Sequence, residues 1–261
     1  MNHPDPVPQT TIRFIEFMGL PGSGKSTIAT LLAADLKKSG IKAISQSADQ
    51  APFVWRHGKR LLRIARNATR CCRLYLDAFR LIRASGQKSF LDRAKVTWNF
   101  WNVIAVIADC RAAGNAVTIV DQGLFQAIWS IQLSSTKGFS ADAWNALLRS
   151  AGVADMLVVN VRSDIDVASN RLFNRAFKLT RLSSQANGGY ADSWRTAAAN
   201  FVNLTCLAHA VLPPDPVGDR IITVDNNAVG AEAAASEVAL AFLARAGPLQ
   251  RSAYRDLCWE I

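Results

Sequence analysis

The segment Gly19-Leu20-Pro21-Gly22-Ser23-Gly24-Lys25-Ser26-Thr27 combines residue types and spacing that suit a polyphosphate. Gly19 to Ser26 fit the pattern G-x-x-x-x-G-K-[ST]. A triphosphate presents several charged oxygens that need fixed donors. Glycines let the backbone turn so that successive N–H groups point inward. A helix opening directly after the loop adds unpaired N–H groups and the positive end of its dipole. In such a loop the Lys25 ammonium reaches the β- and γ-phosphates, and the Ser26 hydroxyl ligates Mg²⁺. Gly19, Pro21, Gly22, Ser23, Gly24, Lys25, Ser26 and Thr27 are therefore expected to bind ATP with Mg²⁺, with Lys25 catalytic and Ser26 on the metal.

Weaker constellations accompany the loop. Asp121 ends the apolar run 116–120, where a carboxylate can hold Mg²⁺ directly or through water. It would equally suit a helix N-cap before Leu124. Arg171 and Arg175 lie one helical turn apart and share a face, with Asp164, Asp166, Lys178 and Arg181 around them. Two guanidiniums so placed can grip a phosphoryl group as its charge shifts, or form a solvated basic helix. Trp98, Phe100 and Trp101, with Asn99 and Asn102, could stack on a base, although aromatics at helical spacing are more often core. The histidines, at 3, 57 and 209, show no metal-ligand spacing.

The elements that must position these residues alternate. Ile12 to Met18 is aromatic, β-branched and followed by glycines, which predicts a strand. Residues 25–38 carry apolar positions at helical spacing, with Gly40 just beyond. Strands are predicted at 41–45, 116–120, 156–161 and 220–224, and helices at 124–133, 141–150, 165–177, 191–211 and 231–246. The nearly continuous apolar character of 116–120 suits a sheet covered on both faces. Strands alternating with helices predict a parallel α/β fold. About seventy residues separate the second and third strands, more than a crossover needs. They are read as an all-helical insertion at about 53–113, made of two long stretches, 53–84 and 89–113. In the first, Leu61, Ile64, Ala65, Ala68, Cys72, Leu76 and Phe79 form an apolar stripe expected to face the core.

The charge is concentrated in that insertion. Between Pro52 and Lys95 there are twelve Lys or Arg against Asp77 and Asp92 alone, so the segment carries the whole net charge of +10. Like charges three or four residues apart destabilise a helix, so a polyanion or an anionic membrane surface is an expected partner of residues 56–95. A hydrophobic content of 50% excludes a wholly disordered chain. No run of 18 apolar residues predicts a transmembrane helix, and the first residues lack the pattern of a secretory signal. Five cysteines, at 71, 72, 110, 206 and 258, follow no disulfide or zinc spacing, and a cytoplasmic location is expected. Residues 1–10 read as a loose arm and 247–261 as a tail, leaving 11–246 as one domain. The oligomeric state stays open, a homodimer included.

The phosphate loop, the five strands, the Walker-B-like end at Asp121 and the basic late helix together resemble the P-loop kinases of the nucleoside and nucleotide kinase group. Thymidylate kinases and deoxynucleoside kinases are nearest in layout. The resemblance covers about residues 11–246 and is specific in the phosphate loop. It implies a three-layer P-loop NTPase fold with a five-stranded parallel sheet, a substrate-binding helical region after the second strand, and a lid at about 171–189 that would make Arg171 and Arg175 catalytic. Asp49-Gln50-Ala51-Pro52-Phe53-Val54-Trp55 is similar to a deoxynucleoside kinase segment in which the carboxylate takes the acceptor's proton and the tryptophan lines the base pocket. The resemblance thus implies Asp49 as general base, where the residues alone also allow a solvated turn. Two positions depart from thymidylate kinases: Leu20-Pro21 replaces an acidic residue in the loop, and Asp121-Gln122-Gly123 replaces Asp-Arg. The implied activity is transfer of the ATP γ-phosphoryl to a small acceptor, a nucleoside or nucleoside monophosphate such as thymidylate. Two alternatives remain at this stage: a kinase acting on a larger polyanion, such as a nucleic-acid end or a lipid-linked sugar phosphate, and a P-loop NTPase switch without kinase activity.

Overall fold

The computed structural model describes residues 12–45, 53–114, 116–174, 190–213 and 218–246. Among them, five strands form one parallel sheet: β1 (Phe14–Met18), β2 (Ala43–Ser45), β3 (Val117–Val120), β4 (Met156–Arg162) and β5 (Ile221–Asp225). Their order is β2-β3-β1-β4-β5. Phe14 pairs with Thr118 of β3 on one side and with Met156 of β4 on the other. β1 is thus central, and the connections leave it in opposite directions. The direction of the connections switches beside β1, and open α/β sheets bind ligands at the carboxyl ends of the strands at such a switch.

Alternation along β1 divides the core into two layers. Ile15 and Phe17 face α1 (Lys25–Lys38) and α9 (Gly230–Arg245), joining Ile28, Leu32, Val238 and Phe242. Phe14 and Met18 face the other layer, built on α4 (Phe90–Ala112), α5 (Leu124–Leu133), α6 (Ala141–Ser150) and α8 (Tyr190–Val211). Trp144 sits in that layer, edge-on to Phe100 at 5.6 Å and stacked on Phe139 at 6.0 Å. The Trp129 indole N–H donates to the Ala197 carbonyl at 2.9 Å, tying α5 to α8. Cys71, Cys72, Cys110 and Cys206 are all free thiols.

The insertion between β2 and β3 differs from the sequence expectation in two ways. Residues 53–84 form two helices, α2 (Phe53–Arg66) and α3 (Ala68–Ala84), broken at Asn67. The buried Asn67 amide donates to the Arg63 carbonyl at 3.0 Å and to Asp109 of α4 at 2.7 Å. The expected core stripe also fails. Of its members only Ile64 is buried, while Leu61, Leu76 and Phe79 are exposed. The buried positions Ile64, Asn67, Cys71, Tyr75, Ala78 and Ile82 keep a spacing of three or four residues through the break, so α3 presents to the core a different face from the expected stripe. The basic residues are also less isolated than the local count suggests. Asp109 pairs with Arg63 at 3.4 Å and with Arg66 at 2.6 Å, from a position outside the counted segment.

Candidate active site

The loop after β1 turns at Gly22, whose φ of 87° favours glycine and whose backbone lies so close to the Ala168 carbonyl that a side chain would collide with it. Ala168 belongs to α7 (Ile165–Phe173), so this helix abuts the loop directly. α1 then starts at Lys25, with the Thr27 and Ile28 N–H groups bonded to the Gly24 carbonyl at 3.0 and 3.1 Å. Lys25 curls back over the loop. Its Nζ donates to the Gly19 carbonyl at 2.7 Å and to the Leu20 carbonyl at 2.9 Å. Ser23 is fully buried, and its Oγ has no hydrogen-bond partner among the described residues. Pro21 is half-buried, and Ser26 and Thr27 are exposed at the start of α1.

Asp121, at the end of β3, meets this loop. The Ser26 hydroxyl donates to Asp121 Oδ2 at 3.1 Å. Burial raises the Asp121 carboxyl above its usual range, and the Ser26 hydrogen bond and the Lys25 charge oppose that rise. The alternative role for Asp121, capping α5, is filled otherwise. The cap position belongs to Gly123, and the first N–H groups of the helix are taken by Glu16.

Three groups around the loop escaped the sequence reading. Glu16 is completely buried in β1, on the α5 side of the sheet. Its carboxylate accepts from the N–H groups of Leu124 at 2.9 Å, Phe125 at 2.7 Å and Gln126 at 3.2 Å. Burial pushes the Glu16 carboxyl up to about 7, against the pull of these three bonds. Gly123 passes so near Glu16 that a Cβ there would overlap the carboxylate. The Gln126 side-chain oxygen, one turn into α5, accepts from the Gly19 N–H at 3.2 Å. From the far side, Asn226, just after β5, donates to the Ser23 carbonyl at 2.7 Å. The signals were a charged residue inside an apolar strand and an asparagine pair closing the last strand, each readable only with the partner in place.

Other expected site residues are distributed unevenly. Arg171 is exposed on α7, three residues beyond the Ala168 contact with the loop. Asp49, Arg175, Lys178 and Arg181 lie outside the described residues, as do most of the expected lid and both termini. The aromatic cluster of α4 divides. Phe100 is core, and the Trp101 indole N–H donates to the Tyr75 carbonyl at 2.9 Å. Trp98 is half-buried beside His57, its indole nitrogen buried without a partner among the described residues. Asn99 and Asn102 accept from Arg60 at 3.4 Å and Arg63 at 3.5 Å. No group of three or more potential metal-ligating His, Cys, Asp or Glu exists among the described residues. A hydroxyl paired with one carboxylate is the donor set that suits a Mg²⁺ completed by phosphate oxygens and water.

No protein-family model matches the chain, and no curated protein matches it significantly. Among solved structures, the chain is similar to deoxyadenosine kinase from M. mycoides, with products dCMP and a flexible dCDP bound. The identity is 15% and the TM-score 0.46, over 86% of this chain and 96% of that one. It is also similar to APE1195, with 17% identity and a TM-score of 0.39, over 90% of this chain and 96% of the other.

Proposed function

We propose that the chain is an ATP- and Mg²⁺-dependent phosphotransferase that moves the γ-phosphoryl group to a small acceptor, a nucleoside or nucleoside monophosphate such as thymidylate. The observation that carries this reading is the Ser26–Asp121 pair at 3.1 Å beside Lys25, at the carboxyl edge of the sheet. A hydroxyl and a carboxylate so paired would hold Mg²⁺, which would supply charge neutralisation at the phosphates. The chain's own residues do the positioning. Loop N–H groups hold the phosphates, and Lys25 exchanges its two carbonyl partners for phosphate oxygens. Arg171, on the helix against the loop, is the proposed cation for charge developing on the transferred group. Arg175 is proposed to act with it. Asp49 is the proposed base for the acceptor hydroxyl, on the likeness of its segment to deoxynucleoside kinases. Trp98, with its buried indole N–H, is the proposed wall of the acceptor pocket.

The exposed cations of α2 and α3 favour one second reading, an acceptor carried on a larger polyanion, such as a nucleic-acid end or a lipid-linked sugar phosphate. The test is ADP release from ATP and Mg²⁺ across a panel of nucleosides, nucleoside monophosphates, oligonucleotide ends and lipid-linked sugar phosphates. Stimulation by a nucleoside or its monophosphate supports the first reading, and stimulation by a polyanion alone supports the second. ATP turnover that no acceptor changes would point to a nucleotide-controlled switch.

A further inference from the structure

α2 lies along α4 mainly through polar contacts and buries little apolar surface among the described residues. Of its side chains described, only Ile64 is buried, while Trp55, Leu61 and Leu62 stand 60%, 57% and 70% exposed. Trp55, Lys59, Leu62 and Arg66 follow at offsets of four, three and four residues and so share one face. The Lys59 ammonium lies over the Trp55 ring at 5.4 Å. Arg66 remains largely exposed although it pairs with Asp109. α3 repeats the combination. With Cys71, Tyr75, Ala78 and Ile82 turned inward, Leu76 and Phe79 are left outside among Arg73, Arg80 and Arg83. At the start of α4, Phe90 and Leu91 are exposed, with Arg93 over the Phe90 ring at 5.5 Å.

We propose that the basic, apolar surface of α2, α3 and the start of α4 docks on an anionic lipid bilayer, as a peripheral contact. No described helix is long and apolar enough to cross a membrane. The choice of occupant follows from two features that must be matched together. The segment Pro52 to Lys95 carries +10, which calls for an anionic partner. The cations alternate with exposed Trp, Leu and Phe, which need an apolar phase within a few ångströms of the charges. A lipid interface offers both, phosphate at the headgroups and hydrocarbon beneath. A nucleic-acid backbone satisfies the arginines but leaves Leu62, Leu76 and Leu91 in water. A second copy of the chain would cover the leucines, but it would press two segments of +10 together. The proposal stands on this surface alone and does not depend on the phosphotransferase reading.

The test is co-sedimentation of the full chain with vesicles of pure phosphatidylcholine, and with vesicles in which one quarter is phosphatidylglycerol, at low and high salt. Two variants accompany it, Trp55→Ser/Leu62→Ser and Lys59→Gln/Arg73→Gln/Arg83→Gln, with single-stranded DNA as a competing ligand. All five positions are exposed, so both variants should melt as the wild type does. The wild type is expected on the anionic vesicles only, released by high salt. Each variant should bind them about tenfold more weakly or worse. A wild type that stays in the supernatant at low salt overturns the proposal, as does a serine pair that binds like wild type. DNA binding tighter than vesicle binding, and lost only in the glutamine variant, would make this a nucleic-acid surface instead. Dimerisation abolished by the serine pair would assign the leucines to a second copy.

Discussion

Lys25 illustrates how far one residue could be read from sequence. The spacing put it on a phosphate loop, but not its two hydrogen bonds to the carbonyls of Gly19 and Leu20. Those bonds tie its side chain to the loop's own backbone. Replacing it tests the phosphotransferase reading directly. A charge-assisted contact to a phosphate is worth about 1.5–3 kcal/mol, so Lys25→Met should weaken nucleotide binding by about tenfold to a hundredfold. Transfer should fall further, because the charge on the phosphoryl group shifts in the transition state. Calorimetric ATP binding and single-turnover transfer on the same preparation would separate the two losses. Glu16 makes a different prediction. Its carboxyl rises from 4.5 in the unfolded chain to about 7 in the folded one, because burial disfavours the charge. The folded state therefore holds a proton that the unfolded state releases. The resulting stabilisation is complete below pH 4.5 and is lost as pH rises through about 7. The loss is on the order of 3 kcal/mol. Urea midpoints measured between pH 5 and 8 should fall with pH in the wild type and stay flatter in Glu16→Gln. Equal slopes would show that Glu16 keeps an ordinary carboxyl.

At the scale of elements, local signals succeeded where the determinants were local. α1, α5 and α6 occupy the ranges expected from apolar spacing and caps, and the strands lie within a residue or two of their expected ranges. The insertion was harder. Nothing within residues 53–84 announces the break at Asn67, where the side chain bonds to Asp109, 42 residues away. The buried positions 64, 67, 71, 75, 78 and 82 run at helical spacing, but an asparagine and a cysteine among them disguise that face, and exposed Leu76 and Phe79 are mistaken for core. Asn67→Ala tests this account. It leaves Asp109 facing Arg63 and Arg66 without its third partner, at a cost of about 1–3 kcal/mol. A denaturation midpoint indistinguishable from wild type would mean that this bond does not hold α2 and α3 to α4. The candidate site was legible in proportion to contiguity. The loop was visible because its parts are adjacent in sequence. Asp121 was visible because a carboxylate at the end of an apolar strand is conspicuous. Gln126 lies in an apolar helix and Asn226 in a polar turn, with no local mark of a shared site, and only the fold brings them to the loop.

For the whole molecule, the bond from Asn226 to Ser23 joins residues 203 apart in the chain. It ties the nucleotide loop to the order in which the protein is made. On the ribosome the clamp is made 203 residues after the loop. β4, which flanks β1, also arrives late, and contacts of such separation form slowly. The nascent chain should therefore carry the loop without its clamp through that interval. Chains arrested on the ribosome at increasing lengths and probed with a fluorescent ATP analogue should stay dark until residue 226 has cleared the exit tunnel. Binding by a chain arrested before β5 would show that the loop needs no clamp. Under the proposed function, chains stopped before β5 would not hold ATP, and β5 would be the element that admits the nucleotide.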